Sequence, residues 1–439
     1  MSCPMVFHST RDATVSAGLS QAIAAGLAPD GGLYVPAALP RRDPADFAAG
    51  ADLAAIACQL LQPFFAGDPL EAELPAICRE AFIFQAPLRP LGFGGAQVLE
   101  LFHGPTAAFK DFGARFLAAC LRRLPCADTR PLTILVATSG DTGAAVGAAF
   151  DGLPGLQVMI LYPDGKVSPR QAHQLGSFGG NVQALKVSGR FDDCQRMVKA
   201  ALNDGRLQAD VPLSSANSIS LGRLLPQMAY YAQACLKEWQ REGRLLNLII
   251  PTGNLGNALA ATWVRAMGLP IGEIVLSCNA NRTLPDYFDG QAYRPREAVA
   301  TLANAMDVGA PSNFERLRWT FPDENQLRRH LRAFSIADAD IMAGLKRHAI
   351  DNGELLCPHT STAAVVLDRL RQAGDHRPWT LVATAHPAKF ETVIEPLIGR
   401  PVAVPPALQA MLDRPAQARS ILPSDAALAA CLHAFSSDQ

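Results

Sequence analysis

The stretch at residues 245–257, LLNLIIPTGNLGN, decides the fold class. An apolar run at 245–250 gives way to a polar, glycine-containing loop. ALAATWVRAMG then follows with helical character. Apolar runs of this length suit strands buried on both faces of a parallel sheet. The plan repeats. LTILVA (132–137) leads into TSGDTG and then AAVGAAF, and WTLVA (379–383) leads into TAHP. Strand-like runs alternating with helical segments indicate an α/β fold. In such sheets ligands sit beyond the carboxyl ends of the strands, so the three polar loops are candidates to line one cleft.

Further strands are expected at 156–163, 181–187 and 273–278. A helix is expected at 191–203, where Cys194, Met197, Val198 and Leu202 recur at helical spacing. Residues up to about 90 read as helices and turns, with a helix at 19–27 and a short extended piece ended by prolines. The chain of 439 residues is too long for one simple core. Four parts are expected: an N-terminal region (1–95) packed on a large domain (96–130 and 240–400), a smaller inserted α/β domain (131–239), and a C-terminal tail (401–439).

Composition narrows the function. With 49% hydrophobic residues, 18% charged residues and a net charge of −1, the chain has no basic surplus to neutralise nucleic-acid or lipid phosphates. No apolar stretch approaches a membrane span and no signal peptide is evident. The ten cysteines form no CxxC pair, and the histidines form no metal-binding motif. Reduced thiols, a cytoplasmic setting and no metal are the expectations.

The loops carry the chemistry. In PTGNLGN, two glycines and a following helix N-terminus make either a phosphate cradle or a plain strand-to-helix turn. It is neither a Walker loop nor a dinucleotide fingerprint. In TSGDTG, Ser139, Asp141 and Thr142 either cap a helix or meet a ligand. In SANSISLGRLL, Asn217, Ser218 and Ser220 precede Arg223, which is either an exposed arginine beside a cap or an anion ligand. Lys110 lies in LFHGPTAAFKDFGARF (101–116), among Phe109, Phe112 and Phe116. It is a surface lysine, a degenerate phosphate-loop lysine or a nucleophilic amine. The phosphate-loop reading fails, since Phe109 stands where glycine is needed and Asp111 where a magnesium-binding hydroxyl belongs. Desolvation would leave the amine free for imine chemistry. An imine-forming lysine and a phosphate cradle together suggest pyridoxal phosphate.

In order, LFHGPTAAFKDFG, ATSGDTG, ILYPDGKVSP, SANSISLGRLLPQMAYY, PTGNLGN, SNFERL and ATAHPAKF resemble the threonine synthase family, and so does the opening STRDATVSAGLSQAIAAGLAPDGGLYVP. The resemblance spans about residues 8–397. It implies a fold-type-II pyridoxal-phosphate enzyme, similar to the tryptophan synthase β subunit. Two open, twisted, mostly parallel-sheet domains would carry an N-terminal helical region. It implies conversion of O-phospho-L-homoserine and water to L-threonine and phosphate by a monomer or homodimer. By the same resemblance Lys110 is the Schiff-base lysine and proton shuttle. Gly253, Asn254, Leu255, Gly256 and Asn257 hold the cofactor phosphate, and Thr384 faces the ring nitrogen. Ser139, Asp141 and Thr142 meet the amino acid, and Asn217, Ser218 and Arg223 its phosphate. The chain departs from many relatives at Asn257, Ser220 and Cys357. Alternatives are another eliminating lyase, similar to threonine dehydratase, or a non-catalytic relative that only binds.

Overall fold

The computed structural model describes residues 4–125 and 130–437. Cys3 and Cys126 lie outside them, and the eight described cysteines are free thiols. Strands β1 (Phe7–Ser9), β2 (Ser16–Ala17) and β3 (Tyr34–Pro36) form a small antiparallel sheet in the order β2-β1-β3. The short extended piece expected before the prolines is β3, while β1 and β2 add strands to a region otherwise read as helices and turns. Strands of two or three residues are too short to show a period.

The remaining strands build two larger sheets. They are β4 (Leu88–Pro90), β5 (Gln97–Glu100), β6 (Leu132–Ala137), β7 (Leu156–Pro163), β8 (Val182–Val187) and β9 (Leu213–Ser215). Then come β10 (Leu246–Pro251), β11 (Ile271–Cys278), β12 (Leu331–Ser335), β13 (Thr380–Ala383) and β14 (Arg419–Ile421). One sheet runs β12-β11-β10-β13-β5-β4 and is parallel except at the β4 edge. The other runs β14-β8-β7-β6-β9 and is parallel throughout. Every residue of β7 is buried, as its unbroken apolar run requires of a central strand covered on both faces.

The helix Lys110–Leu121 joins these layers, with ten of its twelve residues buried. It packs on the helices Leu74–Ala81, Asp141–Phe150 and Leu221–Leu224. Phe112 meets Phe84 at 4.5 Å, and Phe116 meets Phe65 and Phe82 at 6.1 Å. These rings anchor the start of the helix, where Lys110 stands. Residues 401–439 add β14 to the edge of the five-stranded sheet and lay the helix Asp425–Ser437 on the helix Phe191–Asn203. The helix Gln227–Glu242 packs on the helices Leu53–Phe65 and Gly256–Ala266, so contacts cross the boundary expected at 239. Among the described residues no helix is long and apolar enough to cross a membrane.

Candidate active site

Each large sheet reverses its winding order. In the six-stranded sheet the reversal falls between β10 and β13, and in the five-stranded sheet between β6 and β9. Clefts open at the carboxyl ends of strands at such points. The loops leaving these four strands carry PTGNLGN, TAHP, TSGDTG and SANS. They interlock. Asn254 Nδ2 donates to Ser218 Oγ at 2.8 Å, tying β10's loop to β9's. Lys389 Nζ meets Asp141 Oδ1 at 2.8 Å, tying β13's loop to β6's.

Lys110 occupies the first helical position and is partly accessible. The turn before it is laced to β13's loop. Phe109 N donates to Thr384 O at 2.8 Å, His386 N donates to Ala107 O at 3.0 Å, and Ala108 bridges Ala385. Ala107 holds a left-handed φ of 55°, unfavourable for a residue with a Cβ and sustained by these bonds. Buried Asp111 secures the turn from inside, accepting from Thr106 N at 2.9 Å and Thr106 Oγ1 at 2.7 Å. Desolvation pushes the Lys110 amine down to about 8; Asp141 opposes this, while Arg223 and Lys389 reinforce it. The amine makes no hydrogen bond or ion pair among the described residues. His103, beside this turn in sequence, pairs instead with Glu100 at 2.8 Å.

The loop after β10 is built as a concave cradle. Leu255 takes a left-handed φ of 65°, turning the backbone into the helix Gly256–Ala266. A Cβ on Gly253 would come within 2.8 Å of Met306 Cα, so only glycine permits this approach. Asn313 Nδ2 donates to Asn254 O at 3.0 Å, and fully buried Arg316 donates in turn to Asn313 Oδ1 at 2.9 Å. Asn257 Oδ1 accepts from Tyr230 and Tyr231 at 2.6 and 2.8 Å, leaving its buried Nδ2 without a partner among the described residues.

Arg223 is 3% exposed, which excludes the exposed reading. Its Nη1 donates to Ala216 O at 2.6 Å, its Nε has no partner, and no carboxylate pairs with it among the described residues. A Cβ on Gly113 would lie 2.9 Å from Arg223 Nε, so the guanidinium packs directly on the Lys110 helix. The short helix Leu221–Leu224 is capped by Ser220, not by Asn217 or Ser218.

At TSGDTG the capping is done by Thr138, whose Oγ1 accepts from Gly140 N at 3.0 Å and Gly143 N at 2.9 Å. Ser139 and Thr142 stay partly accessible. Asp141 is buried, its Oδ1 engaged by Lys389 and by Gln171 Nε2 at 3.1 Å. Burial opposes its charge, but Lys389 and Lys110 outweigh burial and hold the carboxyl well below its usual range. Buried His359 is pushed down to about 4 by desolvation, so it is neutral; its Nε2 accepts from Ala305 N at 3.1 Å. Cys357 caps the helix Pro358–Gln372 that carries His359, accepting from Thr360 N at 3.4 Å. Thr384 is buried beside this group and its hydroxyl bonds no described residue. Lys389 and His359 are absent from the sequence expectations. A signal for Lys389 exists: it stands between Ala388 and Phe390, the apolar setting that singles out Lys110.

A group with one phosphate and one aldehyde fits these residues. A glycine cradle at a helix N-terminus, the unpartnered Asn257 Nδ2 and a desolvated amine each await a ligand atom. No described cluster of His, Cys, Asp and Glu is arranged to hold a metal. The fold and site define a pyridoxal-phosphate-dependent enzyme, and the model of that description, "Pyridoxal-phosphate dependent enzyme", matches residues 87–387. Models of the threonine synthase N terminus and of the threonine synthase C-terminal region match residues 6–82 and 360–430. The chain belongs to the threonine synthase family. It is 38% identical to threonine synthase of Haemophilus influenzae over 89% of this chain and 90% of that one. It is 36% identical to that of Escherichia coli strain K12 over 96% and 97%. The crystal structure of pyridoxal-phosphate-bound threonine synthase from Brucella melitensis superposes with a TM-score of 0.89 at 32% identity, covering 99% of this chain and all of that one. The chain is thus a pyridoxal-phosphate-dependent lyase of mixed α/β fold, with threonine synthase activity.

Proposed function

We propose that the substrate is O-phospho-L-homoserine, converted with water to L-threonine and phosphate, and that the residues above divide the work. Arg223 carries this reading. It is a buried cation that pairs with no carboxylate among the described residues, packed on the Lys110 helix beside the Asn217 and Ser218 loop. A buried arginine with free donors suits a phosphate that the cofactor cradle does not already hold. Bound pyridoxal phosphate supplies an aldehyde that condenses with amines and a ring that takes up the electron pair left by a departing α proton.

Gly253, Asn254, Leu255, Gly256 and Asn257 would hold the cofactor phosphate, and Thr384 would face the ring nitrogen. The loop of Ser139, Asp141 and Thr142 would receive the amino-acid end of the substrate. Lys110 Nζ, displaced by the substrate amine, would remove the α proton and then a β proton. Arg223, Asn217 and Ser218 would hold the phosphate as it leaves the γ carbon. One of the two protons returns to that carbon, which becomes the methyl group, water adds its hydroxyl at the β carbon and releases a proton, and the α carbon is reprotonated by Lys110 to give threonine. The five-stranded unit, broadly residues 131–239, would close over the substrate and keep other water out. The free thiols suit a cytoplasmic setting.

Phosphate release from O-phospho-L-homoserine, with threonine measured in parallel, tests the reading. Arg223→Ala should lower kcat/KM on the order of a hundredfold, the loss expected for charge-assisted hydrogen bonds to phosphate. Unchanged turnover would remove Arg223 from this role.

A further inference from the structure

Lys389 is 0% exposed, and no role above accounts for it. Its ammonium donates to Thr106 O at 2.7 Å and meets Asp141 Oδ1 at 2.8 Å. It therefore touches two of the elements that frame Lys110: the turn before the Lys110 helix and the loop after β6. The turn Pro387–Phe390 that carries it is held from the other unit, where Ser168 Oγ donates to Lys389 O at 2.8 Å and Arg170 Nη1 to Ala388 O at 2.9 Å. A lysine held at both its backbone and its ammonium cannot swing away to water, so its charge is a fixed part of the site.

We infer that Lys389 is a positioning residue for the amine chemistry: its buried ammonium clamps Asp141 and the Thr106 carbonyl, and so sets the net charge that Lys110 Nζ faces. Among the described residues, the charged groups facing Lys110 are one anion, Asp141, and two cations, Arg223 and Lys389. Lys389 is also felt by Asp111, His359 and His386, of which both histidines are pushed down to about 4 and remain neutral. With Lys389 present, Asp141 is compensated and cannot draw a proton onto Lys110 nitrogen. With Lys389 replaced by a neutral side chain, Lys110 becomes the strongest cationic influence left on a buried carboxylate that keeps only its Gln171 hydrogen bond, and its nitrogen binds a proton more tightly. This inference rests on Lys110 being the nitrogen joined to the cofactor.

The test is a spectrophotometric pH titration of the loaded full-length protein, following the visible absorption band that reports protonation of the nitrogen linking chain and cofactor. Lys389→Met should move the midpoint to higher pH by about one unit, a tenfold change in proton affinity. Asp141→Asn should move it the other way, since Lys389 and Arg223 then act unopposed. The double variant, which leaves no unpaired charge from the pair, should return the midpoint close to that of the unaltered protein. A purely structural Lys389 would give no such pattern of opposite signs. Each variant has its own predicted sign, so failure of one to fold leaves the others decisive. An unchanged midpoint in Lys389→Met, or in Asp141→Asn, would overturn the inference. If the unaltered protein showed no pH-dependent band that Lys110→Ala abolishes, the role given to Lys110 would fail instead, and the two failures are told apart.

Discussion

Lys110 owes its chemistry to two separate facts. It begins a helix whose next turns are buried, and its side chain is largely desolvated although still partly accessible. Desolvation brings its amine down to about 8, so the neutral fraction grows about tenfold per pH unit up to that point. Uptake of pyridoxal phosphate by cofactor-free protein should therefore climb between about pH 6 and 8 and level off above. Stopped-flow absorbance measures this, and a flat profile would contradict the assignment. Lys110→Ala should leave the protein unable to form its visible band. Arg223 behaves oppositely: burial lowers its guanidinium to about 10, and it remains charged throughout the working range. In sequence both residues were ambiguous, because base rates favour exposure for Lys and Arg. Burial is a property of the neighbours, and those neighbours come from distant parts of the chain.

At the scale of elements, the strand-to-helix loops matter more than the strands. Thr138 caps the helix Asp141–Phe150 and frees Ser139 and Thr142 from that duty. Thr138→Val, nearly isosteric, should cost about 1 kcal/mol and lower the thermal midpoint, with larger losses in KM than in kcat as the loop loosens. Cradle geometry depends on Gly253. Gly253→Ala would set a methyl against the Met306 backbone at 2.8 Å, and backbone cannot rotate away as a side chain does. Its affinity for pyridoxal phosphate, measured by equilibrium titration, should fall by about tenfold or more, matching 1–3 kcal/mol of overpacking. Glycines flanking Asn254 were legible as a loop from sequence alone. Their crowding by Met306 was not, since that segment lies some fifty residues on.

Over the whole molecule, the site is a seam between two sheets. Asp141, Ser168, Arg170 and Gln171 come from the segment that winds the five-stranded sheet, and Lys389, Glu391 and Glu395 from the end of the six-stranded one. Arg170 reaches across twice, to Ala388 O at 2.9 Å and to Glu395 at 2.9 Å. Arg170→Ala should loosen that seam, raising KM severalfold and speeding amide hydrogen exchange in residues 387–398 while the sheets keep their protection. Unaltered exchange there would show that the seam is held elsewhere. The chain's own order determined much of this protein. Apolar runs followed by glycine and hydroxyl loops dictate parallel strands with functional carboxyl ends, because a strand covered on both faces must be apolar and its polar work must move to its tip. A lysine among phenylalanines made a desolvated amine one of the readings open for Lys110. Tertiary structure alone decided which tips meet, through the reversals of winding at β10/β13 and β6/β9. It alone made Thr138 the cap, left Arg223 without a paired carboxylate among the described residues and buried Lys389 against Asp141. Such pairings depend on distances between residues far apart in the chain, and no local period or motif records them.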